Sequence, residues 1–197
     1  RAERARAKQI HGKGALVLET APQAEADIVA GEADALLTRE NGRLLAVASA
    51  DCVPIILLDE ESGWMAAVHA GWRGTALRIL DAVLDELESR GVSARRLRAY
   101  FGPSISRDRY EVGPEVVEAL RRAYDGVHVP SDAVRRGAGD RSHLDVAAYD
   151  RALLLARGVP ASSIVESVLS TFDDPELPSY RRDGARTGRI VTGIVRP

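Results

Sequence analysis

Three short apolar runs follow one another between residues 43 and 70: RLLAVAS (43–49), VPIILLD (53–59) and GWMAAVHA (63–70). Each has the length and composition of a strand. The first two are separated by Ala50-Asp51-Cys52, and the last two by EESG, which reads as a hairpin turn. Helical patterns alternate with further short runs on the C-terminal side. In TALRILDAVLDELESRG, Leu77, Leu80, Leu84 and Leu87 recur at helical spacing, with Thr75 as the expected N-cap and Gly91 past the end. LRAYFGPSI (97–105) reads as a strand broken at Gly102-Pro103, and GPEVVEALRRAYDG as a helix with Pro114 in its first turn. The polar stretch from Val127 to Arg141 reads as a surface loop. LDVAAYDRALLLARG reads as a helix capped by Asp145 and stopped near Gly158, SIVESVLS and GRIVTGIVRP as strands, and the N-terminal RAERARAKQ as a helix. No repeat or linker divides the chain. The expectation is a single α+β domain over residues 1–197, with layered mixed β-sheets flanked by helices.

Composition narrows the functional classes. Of 197 residues, 45% are hydrophobic and 28% charged, an ordinary globular balance. The net charge of −2 supplies no field to recruit nucleic acid or a membrane surface. A single cysteine, Cys52, cannot form an internal disulfide, and nothing reads as a signal peptide or membrane span, so a cytoplasmic location is expected.

Cys52 raises the chemical question. A lone cysteine can be a small buried hydrophobe. This one follows Asp51 at a strand junction, and reactive groups concentrate where loops emerge from a rigid scaffold. His69 ends the next strand, and a hairpin across EESG carries it back towards Cys52. Two chemistries use such a pair. His69 can act as the base that activates a Cys52 nucleophile. Alternatively, thiolate and imidazole can bind a metal, most naturally zinc, with a third protein ligand and an open position. His11, in KQIHGKG, is the best third candidate; His128 and His143 sit in less motif-like surroundings. The segment also lacks the His-x-Glu and Pro-Cys-x-x-Cys patterns of a zinc cytidine deaminase.

Five ordered motifs then carry a resemblance: KQIHG, ASADCVPIILLD, AAVHAGWRGTA, YFGPSISRDRYEVGPEV and SYRRDGARTGRIVTGIV. From about Lys8 onward the chain resembles the purine nucleoside phosphorylase family formerly labelled multicopper polyphenol oxidases or laccase-domain proteins. That family is also discussed as a peptidoglycan editing factor and as similar to bacterial cysteine-dependent toxin hydrolases. The resemblance implies a layered α+β fold and a zinc site made by His11, Cys52 and His69. It also implies phosphorolysis of adenosine, inosine, guanosine and methylthioadenosine, and adenosine deamination. Asp51 and Arg73 match the residues beside the cysteine and within the Gly-Trp-Arg-Gly run.

Three departures from the family pattern stand out. A family segment ahead of KQIHG is expected to be missing here, Ser170 stands where a second cysteine is common, and Leu177-Pro178 replaces an aromatic pair.

Beside this resemblance, the residues assign roles of their own. Arginine's fork suits phosphate, which nominates Arg73, Arg181 and Arg182. Asp51 can orient a ligand or move a proton, or else cap a turn. Trp72 can stack on a purine or serve the fold, and Tyr110 and Glu111 read as scaffold. The resemblance implies purine nucleosides and phosphate as small-molecule partners; the composition points to no nucleic acid or membrane, and no feature sets an oligomeric state. A copper oxidase reading fails because four histidines are too few for mononuclear and trinuclear copper sites. The competing class is a cysteine-dependent hydrolase or amidase acting on a cell-wall precursor through Cys52 and His69.

Overall fold

VPIILL and MAAVHA are apolar at nearly every position, the signature of strands covered on both faces. In the computed structural model, which describes residues 2–23 and 26–197, they are the centre of the molecule. Along the chain come β1 (Glu3–Lys8), β2 (Ala15–Val17), β3 (Asp27–Glu32), β4 (Ala35–Thr38), β5 (Arg43–Ser49), β6 (Val53–Leu58) and β7 (Met65–Ala70). Next are α1 (Trp72–Ala76), α2 (Ile79–Glu88), β8 (Arg98–Phe101), β9 (Glu111–Val112) and α3 (Pro114–Ala123). The remainder forms β10 (Val134–Arg136), β11 (Ser142–Leu144), α4 (Val146–Ala156), β12 (Ile164–Glu166), α5 (Tyr180–Asp183) and β13 (Ile190–Ile194).

The described residues form three sheets. Six strands run in the order β12-β8-β6-β7-β4-β2, four in the order β13-β5-β1-β3, and three in the order β10-β11-β9. The six-stranded sheet lies between two apolar layers, and the two-residue period of its strands divides side chains between them. Val53, Ile55, Leu57, Ala66 and Val68 point into one core with Leu80, Leu84 and Leu87 of α2 and Leu153 of α4. Ile56, Met65 and Ala67 point into a second core with Ala5, Leu45 and Val47 of the four-stranded sheet. Each fully buried Leu or Ile contributes about 1.5–3 kcal/mol. These layers are the mixed α+β architecture expected from the sequence.

Hairpin and helices follow the patterns that predict them. β6 and β7 pair antiparallel with Pro54 opposite His69. Pro114 opens α3, and the Asp145 carboxylate accepts from the Ala148 amide to cap α4. Four expectations need correction. RAERARAKQ contains a strand, not a helix: Glu3 and Ala5 alternate inward, and β1 pairs in parallel with both β3 and β5. Thr75 is no N-cap. It is buried inside α1, its hydroxyl donates to Asp150 Oδ2, and the helix restarts after Arg78, which takes a left-handed φ of 59°. The Val127–Arg141 loop contains β10, paired antiparallel with β11. Only Ile164–Glu166 of SIVESVLS is strand, parallel to β8, and Val168 beyond it is exposed.

Candidate metal centre and its cavity

Three times the chain leaves the four-stranded sheet and enters the six-stranded one: from β1 to β2, from β3 to β4 and from β5 to β6. The crossovers deliver His11, Asp34 and Cys52 respectively. His69, at the end of β7, shares the face of Met65 and Ala67, so it too points between the sheets. Residues separated by up to 58 positions thereby meet at one edge of the sandwich.

Asp34 organises the meeting, and no sequence motif marked it. Its side chain is buried, and its carboxylate accepts from the backbone amides of Ile10 (3.2 Å), His11 (3.0 Å) and Gly12 (2.7 Å). This ring of amides holds His11 at a left-handed φ of 58°, which a non-glycine residue adopts at a cost. The same carboxylate lies 2.9 Å from His69 Nδ1. A proton on Nδ1 leaves Nε2 for the Cys52 sulfur, with which His69 hydrogen-bonds. Its only legible signal was a carboxylate amid the small and apolar residues of GEADALL.

His11, Cys52 and His69 offer ligand atoms that all lie within 4.8 Å of one another, and the set can hold a metal. The two imidazoles meet edge to face with centroids 4.9 Å apart. Exposure grades across the cluster, from exposed His11 through half-buried Cys52 to buried His69. Burial pushes the Cys52 thiol up, but hydrogen bonds from His11 and His69 outweigh it and bring the thiol down to about 7. Burial pulls His69 down, yet its bonds to Asp34 and Cys52 raise it to about 9. Such a thiol is readily a thiolate, the form that ligates metal or attacks carbon. Gly71 is required by space: a Cβ there would stand 2.8 Å from Cys52 Sγ and 3.3 Å from His11 Cδ2. A Cβ on Gly74 would stand 3.0 Å from the Gly12 carbonyl, so the second glycine of HAGWRG admits the His11 turn. His128 and His143 are not part of the cluster.

The cluster opens into a cavity of about 580 Å³ whose lining also includes Ser49, Asp51, Trp72, Arg73, Tyr110, Tyr180, Arg181 and Arg189. A separate cavity of about 480 Å³, lined by Ser104, Arg107, Asp145, Arg151, Glu166 and Ser170 among others, contains no histidine or cysteine. The chemistry selects the first. Ser170, at the family's second-cysteine position, lines the other cavity and bonds Ser106.

The sequence candidates separate here. Asp51 reaches the cavity wall, but both carboxylate oxygens are engaged: Oδ1 accepts from the Thr171 hydroxyl at 2.7 Å and Oδ2 from the Arg181 amide at 2.6 Å. Arg73 lies over the Trp72 ring at 4.4 Å, so one face of that indole is already covered. Arg181 lies over Tyr110 and donates to the Glu111 carbonyl. Arg182 turns away. Its guanidinium donates to the carbonyls of Thr171, Phe172, Asp174 and Leu177 and pairs with Asp183, tying the C-terminal loops together. Tyr110, read as scaffold, lines the cavity, and burial raises its phenol to about 12, so it stays protonated near neutrality. Arg189 and Tyr180 also line it, and the sequence reading passed over both.

Comparisons with known proteins match this geometry to a family. The chain is 46% identical over 164 residues to Adenosine deaminase RL5 from an unknown prokaryotic organism, covering 83% of this chain and 62% of that protein. It is 39% identical over 164 residues to a purine nucleoside phosphorylase of Bacteroides thetaiotaomicron, covering 82% and 60%. The chain thus spans about three fifths of the length of these relatives. The crystal structure of YlmD from Geobacillus stearothermophilus superposes with a TM-score of 0.86 at 30% identity, over 98% of this chain and 73% of that one. The family model described as multi-copper polyphenol oxidoreductase laccase matches residues 1–197. By its sequence, its fold and the histidine–cysteine cluster between its sheets, the chain belongs to that family.

Proposed function

We propose that the chain is a zinc-dependent purine nucleoside phosphorylase, with adenosine deaminase and methylthioadenosine phosphorylase activities at the same site. The observation that carries this reading is the convergence of His11, Cys52 and His69 on a cavity edged by arginines and aromatic rings. Relatives named purine nucleoside phosphorylase and adenosine deaminase support it.

Two imidazoles and a thiolate match zinc's preference for nitrogen and sulfur, and three protein ligands leave a position open. Zinc held there supplies Lewis acidity. Copper of the oxidase kind is disfavoured, since three clustered ligands cannot build the several centres such chemistry needs. In phosphorolysis a phosphate oxygen forms a bond to C1′ of the ribose as the C1′–N9 bond breaks; the base leaves with that electron pair and takes up a proton. Arg73 and Arg181 supply positive charge to hold the phosphate. Tyr180, half exposed at the cavity, offers an aromatic face for the base, whereas Trp72 is partly capped by Arg73. Asp51 serves as a brace for the Arg181 turn. The site requires no membrane or nucleic acid, and a cytoplasmic setting keeps its single thiol reduced.

One arrangement favours a second reading. Asp34, His69 and Cys52 are in series, as an orienting carboxylate, a base and a nucleophile are in a cysteine hydrolase or amidase, here one acting on a cell-wall precursor. Two measurements separate the readings. Metal analysis of purified protein should give about one zinc per chain. Incubation with adenosine should release adenine and ribose 1-phosphate only when phosphate is added, and inosine without phosphate marks deamination. Metal-free protein that leaves every purine nucleoside intact but cleaves an amide selects the hydrolase.

A further inference from the structure

Arginines of this molecule typically sit on carboxylates: Arg43 on Glu3, Arg96 on Asp59, Arg157 on Asp81, Asp85 and Glu88. At the cluster cavity the pattern fails. Among the described residues, Arg73, Arg181 and Arg189 have no carboxylate partner, although all three line that cavity. Asp51, the acid beside them, has both oxygens occupied by Thr171 and the Arg181 amide. Three guanidinium groups against the single carboxylate of Asp51 leave an excess of positive charge along that lining.

Arg189 is the least expected of the three, and strand register explains it. β13 pairs antiparallel with β5, with Ile190 opposite Ser49. Arg189 therefore lies one step past the paired residues, beside the Ala50-Asp51 junction that leads to Cys52. Its Nη1 donates to two carbonyls of its own turn, Thr187 at 3.2 Å and Gly188 at 2.8 Å, leaving Nε and Nη2 without an acceptor among the described residues. These bonds hold the side chain without neutralising it. Ser49 is the second, independent observation. It lines the same cavity, is only 2% exposed, and its Oγ has no hydrogen-bond partner among the described residues. An unpaired buried hydroxyl is costly unless something in the cavity completes it.

We infer that Arg189 and Ser49, with Arg73 and Arg181, form the oxyanion subsite for the attacking phosphate, and that Arg182 has no part in it. A tetrahedral oxyanion suits this set: it accepts from several guanidinium edges at once and can also accept from a hydroxyl. The adjoining Arg182 cannot join, because its guanidinium is spent on four carbonyls and Asp183. This inference rests on the phosphorolysis reading, so its test needs an arm that does not use turnover.

That test compares zinc-loaded wild type with Arg189→Gln, Ser49→Ala and Arg182→Gln. KM for phosphate and for adenosine is measured in each, together with zinc content and the titration of inorganic phosphate into nucleoside-free protein. Arg189→Gln should raise KM for phosphate and weaken phosphate binding about tenfold or more. Ser49→Ala should do the same to a smaller degree, with KM for adenosine and zinc content near wild type in both. Arg182→Gln should lower Tm yet bind phosphate like wild type. Phosphate binding and phosphate KM unchanged in Arg189→Gln and Ser49→Ala would overturn the inference, as would a larger loss in Arg182→Gln than in Arg189→Gln. If wild type shows no phosphate-dependent turnover, the phosphorolysis reading falls, and the titration alone decides the subsite. Phosphate bound by wild type and weakened by Arg189→Gln sustains it; no binding, or equal binding, overturns it.

Discussion

Where the sheet crossovers and the end of β7 build one wall of the cavity, His69 and Asp34 behind it are buried, and each takes part in more than one hydrogen bond. On the wall built by residues 180–189, Tyr180, Arg181 and Arg189 are exposed, and among the described residues the two guanidinium groups hydrogen-bond only to backbone carbonyls. The first wall can hold geometry to a fraction of an ångström, as metal ligation demands. The second keeps donors available and rotamers adjustable, as a substrate that enters and leaves demands. On the proposed function, ligation and recognition fall to two different stretches of chain, and substitutions on the two walls should fail in different ways.

The sharpest break in that contrast should come from Cys52→Ala. It should abolish stoichiometric zinc while far-UV circular dichroism stays native, because only a half-buried thiol is lost; equal zinc in mutant and wild type would refute the ligand set. Next, Asp34→Asn should weaken zinc affinity ~10–100-fold by loosening a ligand's orientation, read by competition with a chromogenic chelator. Arg181→Gln on the other wall should leave that affinity alone. Gly71→Ala probes the same wall sterically: its new methyl would press on Cys52 Sγ, so zinc should bind less tightly and Tm should fall.

A smaller effect lies remote from both walls. Asp150 is fully buried with only the Thr75 hydroxyl as partner among the described residues, and burial pushes its carboxyl well above the ordinary range. A raised carboxyl binds a proton more tightly in the folded state than in the unfolded one. Its contribution to stability is therefore present at low pH and is lost as pH rises above the unfolded value near 3.8. Asp150→Asn should lose this dependence, so its Tm relative to wild type should be higher at pH 8 than at pH 4.

The sequence is most legible where physics is local. β5, β6 and β7 declare themselves through apolar runs, and the hairpin through EESG. RAERARAKQ misleads because Ala, Arg and Glu favour helices in isolation, while its position between β3 and β5 in the sheet decides otherwise. His11, Cys52 and His69 are visible because histidine and cysteine are scarce and sit in recognisable motifs. Asp34 is not, since a carboxylate's importance here comes from backbone amides of a distant turn. Arg181 and Arg182 look alike in the sequence; only the direction of α5 separates a cavity arginine from a loop clamp. The Arg189–Ser49 adjacency comes from strand register between segments about 140 residues apart, which no local pattern encodes.

Asp51 takes a left-handed φ of 89°, and its carboxylate reaches a hydroxyl 120 residues away and an amide 130 residues away. Contacts so remote along the chain close large loops, and their entropy must be met before the bonds can form. The hairpin of β6 and β7 is local and can form early; the corner beside Cys52 is sealed only when the segment around Thr171 and Arg181 docks. During synthesis, which proceeds from the N-terminus, the thiol is therefore made long before its surroundings are complete. Until that segment has been made, Asp51 lacks both of its partners, and the corner beside Cys52 is without the bonds that fix it in the folded chain.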